Sequence, residues 1–195
     1  MTEFDLHLGA QRLSALIAGT TDDDLTLPTP CPAYTVSDLI DHIGMTALAF
    51  GAAARKERSE LNEVSPNRVP QPLAGDWRSR IAADFDVLAD AWAAPGAWDG
   101  MTRIAGMDMP ADEIGLVAAE EILVHSWDLA RATGQSFDAD PDLIVAARRM
   151  LGPGADPDTP RTDTVTFGAP HPVGDDASPL DQVIGLSGRD PAWTA

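Results

Sequence analysis

Cysteine is nearly absent from this chain of 195 residues, with Cys31 the single example. An internal disulfide is thereby excluded, and the usage fits a reducing cytoplasm. Lysine is as scarce, with only Lys56, and Lys and Arg together number 13 against 31 Asp and Glu. The resulting formal charge of -18, with a pI near 4.2, argues against nucleic acid or an anionic membrane as partner. There is no apolar run of 18 residues, so no membrane span is expected. The acidic opening MTEFDLH is wrong for a secretory signal. Internal repeats are also missing, which removes solenoid architectures.

What remains suits one domain over residues 1–195, with a helical core at about 3–151 and a Pro-, Gly- and Asp-rich extension at 152–195. Leu6, Leu13, Leu16 and Ile17, with Phe4 at the margin, predict a first helix over 3–18, stopped by Gly19. His7 on it reads as a surface or packing residue. The segment 28–32 (PTPCP) is a stiffened extended connector. Cys31 has no neighbouring positive charge in sequence, so a packing place near the following helix is favoured over a reactive thiol.

Thr35 and Asp38 then have capping-box spacing and open a strong helix to about Arg58. His42 falls between its two apolar regions. A third helix runs from about 73–75 to Trp92. A short irregular hairpin is expected around 101–105. Pro110 at N1 and Gly134 at the far end bracket a fourth helix. Asp140-Pro141 opens a fifth through Leu151, Val165 to Gly168 is strand-like, and Ser178 to Leu186 reads as a short helix.

The fourth helix organises the rest. Ile114, Val117, Ala118, Ile122 and Leu129 share one face, and Glu121 and His125 lie in the middle of it, four residues apart. Asp128 lies at its edge. Glu113, Glu120 and Arg131 fall on another side and read as a solvated charge run. A carboxylate and an imidazole within an apolar stripe need a partner, because an unpaired buried charge is expensive. Three explanations stand open: a buried Glu–His hydrogen bond, an acid/base pair tuned by burial, or half of a metal site. The third needs another ligand, and His42 is the candidate.

Residues 28–42 (PTPCPAYTVSDLIDH), 121–134 (EILVHSWDLARATG) and 185–191 (GLSGRDP) together resemble the DinB-like bundle superfamily. The closer likeness is to its actinobacterial branch related to mycothiol-dependent maleylpyruvate isomerase. That resemblance implies an all-α four-helix bundle with short extra helices and a minor irregular or β C-terminal segment. It implies a divalent metal on His42, Glu121 and His125, zinc first, with nickel or another ion as alternatives. It also implies a mycothiol-like thiol as cosubstrate, acting on a small electrophile by isomerisation or S-transfer. Asp128 and Arg131 are candidates beside the site, although a surface pair with Glu120 suits Arg131 better. Asp38 is better explained as a cap. A metal-dependent hydrolase and a non-catalytic metal-containing sensor remain rivals, and a homodimer is a permitted assembly.

Overall fold

The computed structural model describes residues 4–65, 68–152 and 169–195. Helix α1 spans His7–Gly19, α2 Val36–Ala54, α3 Trp77–Ala93 and α4 Ala111–Thr133. These four close a ring, because α1 and α2 each pack on both α3 and α4. The predicted helical bundle is therefore present. Between α3 and α4 the chain makes an antiparallel hairpin, β1 (Met101–Ile104) and β2 (Met107–Pro110). Helix α5 (Pro141–Leu151) lies on α4, and α6 (Pro179–Leu186) lies on α5. Among the described residues no helix is long and apolar enough to cross a membrane.

Local chemistry sets the boundaries. Thr35 and Asp38 form the expected capping box: the Thr35 hydroxyl accepts the Asp38 N–H at 3.3 Å, and the Asp38 carboxylate accepts the Thr35 N–H at 3.0 Å. The helix ends at Ala54, four residues before the expected stop, because Lys56 turns left-handed at φ 55°. Helix α1 starts at His7, not at residue 3, and the Asp5 carboxylate accepts the His7 N–H at 2.9 Å. Gly19 is still helical, and the chain departs at Thr20, whose ψ is 125°. Pro110 sits one place earlier than expected, as the N-cap of α4 and the last residue of β2. Gly134, at φ 66°, ends α4 as predicted. Asp140 and Ser178 cap α5 and α6, each followed by proline at the first turn. The strand-like piece expected at Val165 to Gly168 lies outside the described residues.

The core is continuous through the bundle, with Ile17, Leu39, Ile40, Ile81, Phe85 and Trp92 fully enclosed. Burying each such side chain contributes roughly 1.5–3 kcal/mol. Gly115 allows α4 to lie against Trp98: a Cβ there would come within 2.3 Å of the indole ring. The hairpin is held from beneath by Asn62, which is completely buried. Its side-chain amide donates to the Arg103 carbonyl at 3.0 Å, and its backbone carbonyl accepts the Gly106 N–H at 2.8 Å. Ala105 and Gly106 both have positive φ, 50° and 77°, as a tight two-residue hairpin turn requires. The turn is thereby fixed beside α2, where it walls the cavity described next.

Candidate metal centre

His42 lies two turns into α2, and Glu121 and His125 face it from successive turns of α4. One potential ligand atom from each of the three lies within 4.8 Å of the others. Glu121 Oε2 is the hub, 3.2 Å from His42 Nε2 and 3.1 Å from His125 Nε2. The two imidazoles meet edge to face, with ring centroids 4.8 Å apart. The Tyr34 ring meets the His42 ring at a tilt, with centroids 5.5 Å apart. The sequence thus identified all three convergent residues.

A chain of partners behind His125 fixes its orientation. His125 Nδ1 is 3.0 Å from Asp128 Oδ2, leaving Nε2 to face Glu121. Asp128 is fully buried and accepts from Arg189 at 3.0 Å, and Arg189 is 8% exposed. Burial opposes ionisation of Glu121, but hydrogen bonds from His125 and His42 prevail and hold its carboxyl well below the usual range. Burial likewise opposes a charged His125, yet Asp128 and Glu121 together raise it to about 9. Asp128 is held low against burial mainly by the Arg189 charge.

Two expectations fail on α4. Glu120 belongs to no solvated run: it is 1% exposed, and neither carboxylate oxygen has a hydrogen-bond partner. Burial, with Glu121 beside it, pushes its pKa up to about 8. The physical reason is that α5, α6 and the C-terminal residues cover a face that helix periodicity alone leaves to solvent. Arg131 therefore makes no pair with Glu120. It is exposed, its guanidinium 5.4 Å from the Trp127 ring centre, and it does not line the cavity.

Cys31 is half-buried and is not among the three clustered ligand residues. Burial raises its thiol pKa despite the Arg189 charge nearby, a cation brought in from the far end of the chain. Sequence neighbours alone had shown no such charge. His7 is on the surface as expected, between Asp5 at 2.7 Å and Asp90 at 3.0 Å.

His42 and Glu121 open onto a cavity with about 470 Å³ of unfilled space, its mouth included. Met45, Ala49 and Phe50 of α2, Val64 and Ile104 give it apolar walls. Arg68 is the one cation among its described lining residues, and it is paired with Asp41. Sequence reasoning passed over Arg68, Asp41 and Arg189. Arg189 alone had a signal, since a buried Asp128 needs a cation and the resemblance already extended to 185–191.

Comparison with known proteins agrees with this architecture. The Mycothiol maleylpyruvate isomerase N-terminal domain matches residues 6–130. Two uncharacterized proteins of Mycobacterium tuberculosis, from different strains, are each 30% identical over 188 residues, covering 94% of this chain and 95% of the relative. Crystal structures of mycothiol-dependent maleylpyruvate isomerase and of a His-to-Ala variant superpose with TM-scores of 0.56 and 0.55 at 17% identity. They cover 95% and 93% of this chain, and 87% and 85% of theirs. At that identity they speak for the fold. With the domain match and the full-length relatives, they establish that this chain belongs to the mycothiol maleylpyruvate isomerase N-terminal domain family.

Proposed function

We propose that the chain is a divalent-metal-dependent enzyme that uses a low-molecular-weight thiol of mycothiol type to isomerise, or transfer sulfur to, a small electrophile. The observation that carries this reading is the convergence of His42, Glu121 and His125, the first two of which line a largely apolar cavity. Two imidazoles and one carboxylate are a donor set that fits zinc and leaves a coordination position for a small molecule. Bound there, the ion would supply positive charge that lowers the pKa of an incoming thiol.

The protein's own groups define the rest. Glu121 contributes the negative charge, and its carboxylate is held ionised by the two flanking imidazoles. Asp128 fixes His125 with Nδ1 toward itself, so Nε2 faces the site, and Arg189 in turn fixes Asp128. Such outer partners tune ligand orientation and basicity. The apolar walls keep water from a reactive thiolate and from the electrophile. Tyr34 packs against the His42 ring, and the nucleophile in this reading comes from the small thiol.

The named solved relative acts on maleylpyruvate with mycothiol. Here the thiol class is proposed, and the electrophile is taken up below. The test is elemental analysis of purified protein beside a His42→Ala variant, followed by thiol-dependent consumption of activated alkenes. One zinc per chain, lost in the variant along with turnover, is the expected result. Full metal retention in His42→Ala would overturn the three-ligand reading.

A further inference from the structure

We propose that the cavity selects an electrophile with an apolar body and a single carboxylate, held by Arg68 and limited to one negative charge by Asp41. This rests on the reading above only for what the carboxylate's bearer does; the binding site stands on the cavity itself.

The walls set the body. Met45, Ala49, Phe50, Val64 and Ile104 offer no charge, and Met45 and the methyl groups suit an alkyl or alkenyl chain. The head group is set by Arg68, the one cation among the described lining residues. Its Nη2 donates to Asp41 Oδ2, and its Nη1 donates to the Val69 carbonyl at 3.2 Å. Asp41 Oδ2 also accepts the Gln71 N–H at 3.0 Å, which pins the carboxylate from its other side. The guanidinium is therefore fixed in direction before any ligand arrives. A guanidinium has five N–H donors, so this fork retains capacity for one more carboxylate.

Charge sets the limit. Arg68 and Asp41 sum to zero, so one ligand carboxylate gains hydrogen bonds and orientation with little net attraction. Away from the metal ligands, a second carboxylate would find no other Arg or Lys among the described lining residues, and an unpaired charge there is costly. The overall charge of -18 opposes a dianion as well. Maleylpyruvate carries two carboxylates. The preferred electrophile of this chain is accordingly less polar than the one for which the family is named.

The test uses three unreactive probes of equal length: hexanoate, hexanamide and adipate. Binding is measured by titration calorimetry to the zinc-saturated protein and again in chelator. In chelator, hexanoate is expected to bind at least tenfold more tightly than either other probe, and with zinc it should keep that advantage over hexanamide. Arg68→Met should erase its advantage over hexanamide while leaving hexanamide unchanged. Asp41→Asn, which frees the Arg68 charge, should narrow the gap between adipate and hexanoate several-fold. The Asn variant keeps the site testable if Arg68→Met fails to fold. Equal affinities for all three probes would overturn the proposal, as would hexanoate binding that vanishes in chelator, because the carboxylate would then be going to the ion. A protein found to hold no zinc, yet still preferring hexanoate through Arg68, would sink the metal reading and leave this one intact.

Discussion

Two histidines in this molecule are bracketed by carboxylates in nearly the same way, at the start of α1 and in the middle of α4. His7 has Asp5 on Nδ1 and Asp90 on Nε2; His125 has Asp128 on Nδ1 and Glu121 on Nε2. Both imidazoles are raised in pKa by those partners. Their surroundings differ. The side chain of His7 is 37% exposed, and its carboxylates are 71% and 80% exposed. For His125 the corresponding values are 9%, 0% and 10%. The hydrogen-bond pattern is thus no guide to function by itself. What distinguishes His125 is a second histidine on Glu121, a buried cation behind Asp128, and a cavity that Glu121 and His42 line.

Removing the buried cation should break the comparison most severely. Arg189→Met leaves Asp128 ionised in a sealed place with only His125 for company. Breaking one partner of a buried pair costs about 3–5 kcal/mol. Urea denaturation should show a loss of that order, together with weaker zinc affinity by roughly 10–100-fold as His125 loses its orientation. Adding Asp128→Asn should recover part of the stability without recovering the affinity. A single variant as stable as wild type would mean that the Arg189–Asp128 pair is incidental to the core.

Adjacent glutamates sharpen the same contrast. Glu121→Gln keeps size and removes the charge between the imidazoles. If zinc affinity falls about 100-fold, stabilisation by excess zinc falls by ~2.7 kcal/mol. In chelator the change should still cost some stability, because the carboxylate accepts from both imidazoles, but the zinc-dependent part of the penalty should be gone. Thermal melts of wild type and variant with zinc and with chelator separate this from a purely structural Glu–His pair, which would show one penalty in both conditions.

Glu120→Gln should behave in the opposite manner, insensitive to zinc and sensitive to pH. The native Glu120 carboxyl holds its proton to about 8, well above the ordinary value of 4.5 that applies once unfolded. Between those values the native state binds a proton that the unfolded state lacks, so wild-type stability falls as pH rises and levels off above 8. The variant lacks that slope. Measured in chelator, it should match wild type near pH 4.5 and exceed it by a margin that widens as pH rises towards 8. Equal slopes would show that Glu120 is solvated in solution.

How much of this was legible in the chain follows from what each signal depends on. Thr35 and Asp38, Pro141 and Gly134 act within one turn, so their caps were readable from neighbours alone. Glu121 and His125 were readable because helix geometry places i and i+4 together. His42 was only a candidate until the resemblance supported it, since nothing local links it to a residue 79 positions away. Glu120 was misread because periodicity predicts one buried face, while α5, α6 and the C-terminal residues cover a second. Arg68–Asp41 and Arg189–Asp128 are long-range ion pairs, 27 and 61 residues apart, and composition has no bearing on which charges meet.

The smallest expected effect belongs to the exposed histidine, and it completes the comparison. Hydrogen bonds to Asp90 and then Asp5 raise His7 above its ordinary 6.5, while the His7 backbone N–H, and after it the imidazole, lower Asp5 below its ordinary 3.8. A histidine raised in the folded state contributes stability that is fully present below about 6.5 and is lost as pH climbs through its folded value. The lowered Asp5 adds a contribution present above about 3.8 and lost as pH falls through its own folded value. The cluster therefore stabilises between those limits, with solvent screening holding it to a few tenths of a kcal/mol. His7→Gln should cost that much at pH 5.5 and almost nothing at pH 8.5, and 1 M salt should erase the difference. Arg189→Met, whose partners are sealed, should lose the same stability at either salt concentration. A His7→Gln penalty that persists unchanged at pH 8.5 would mean that the imidazole acts there through packing or neutral hydrogen bonds, and not through its charge.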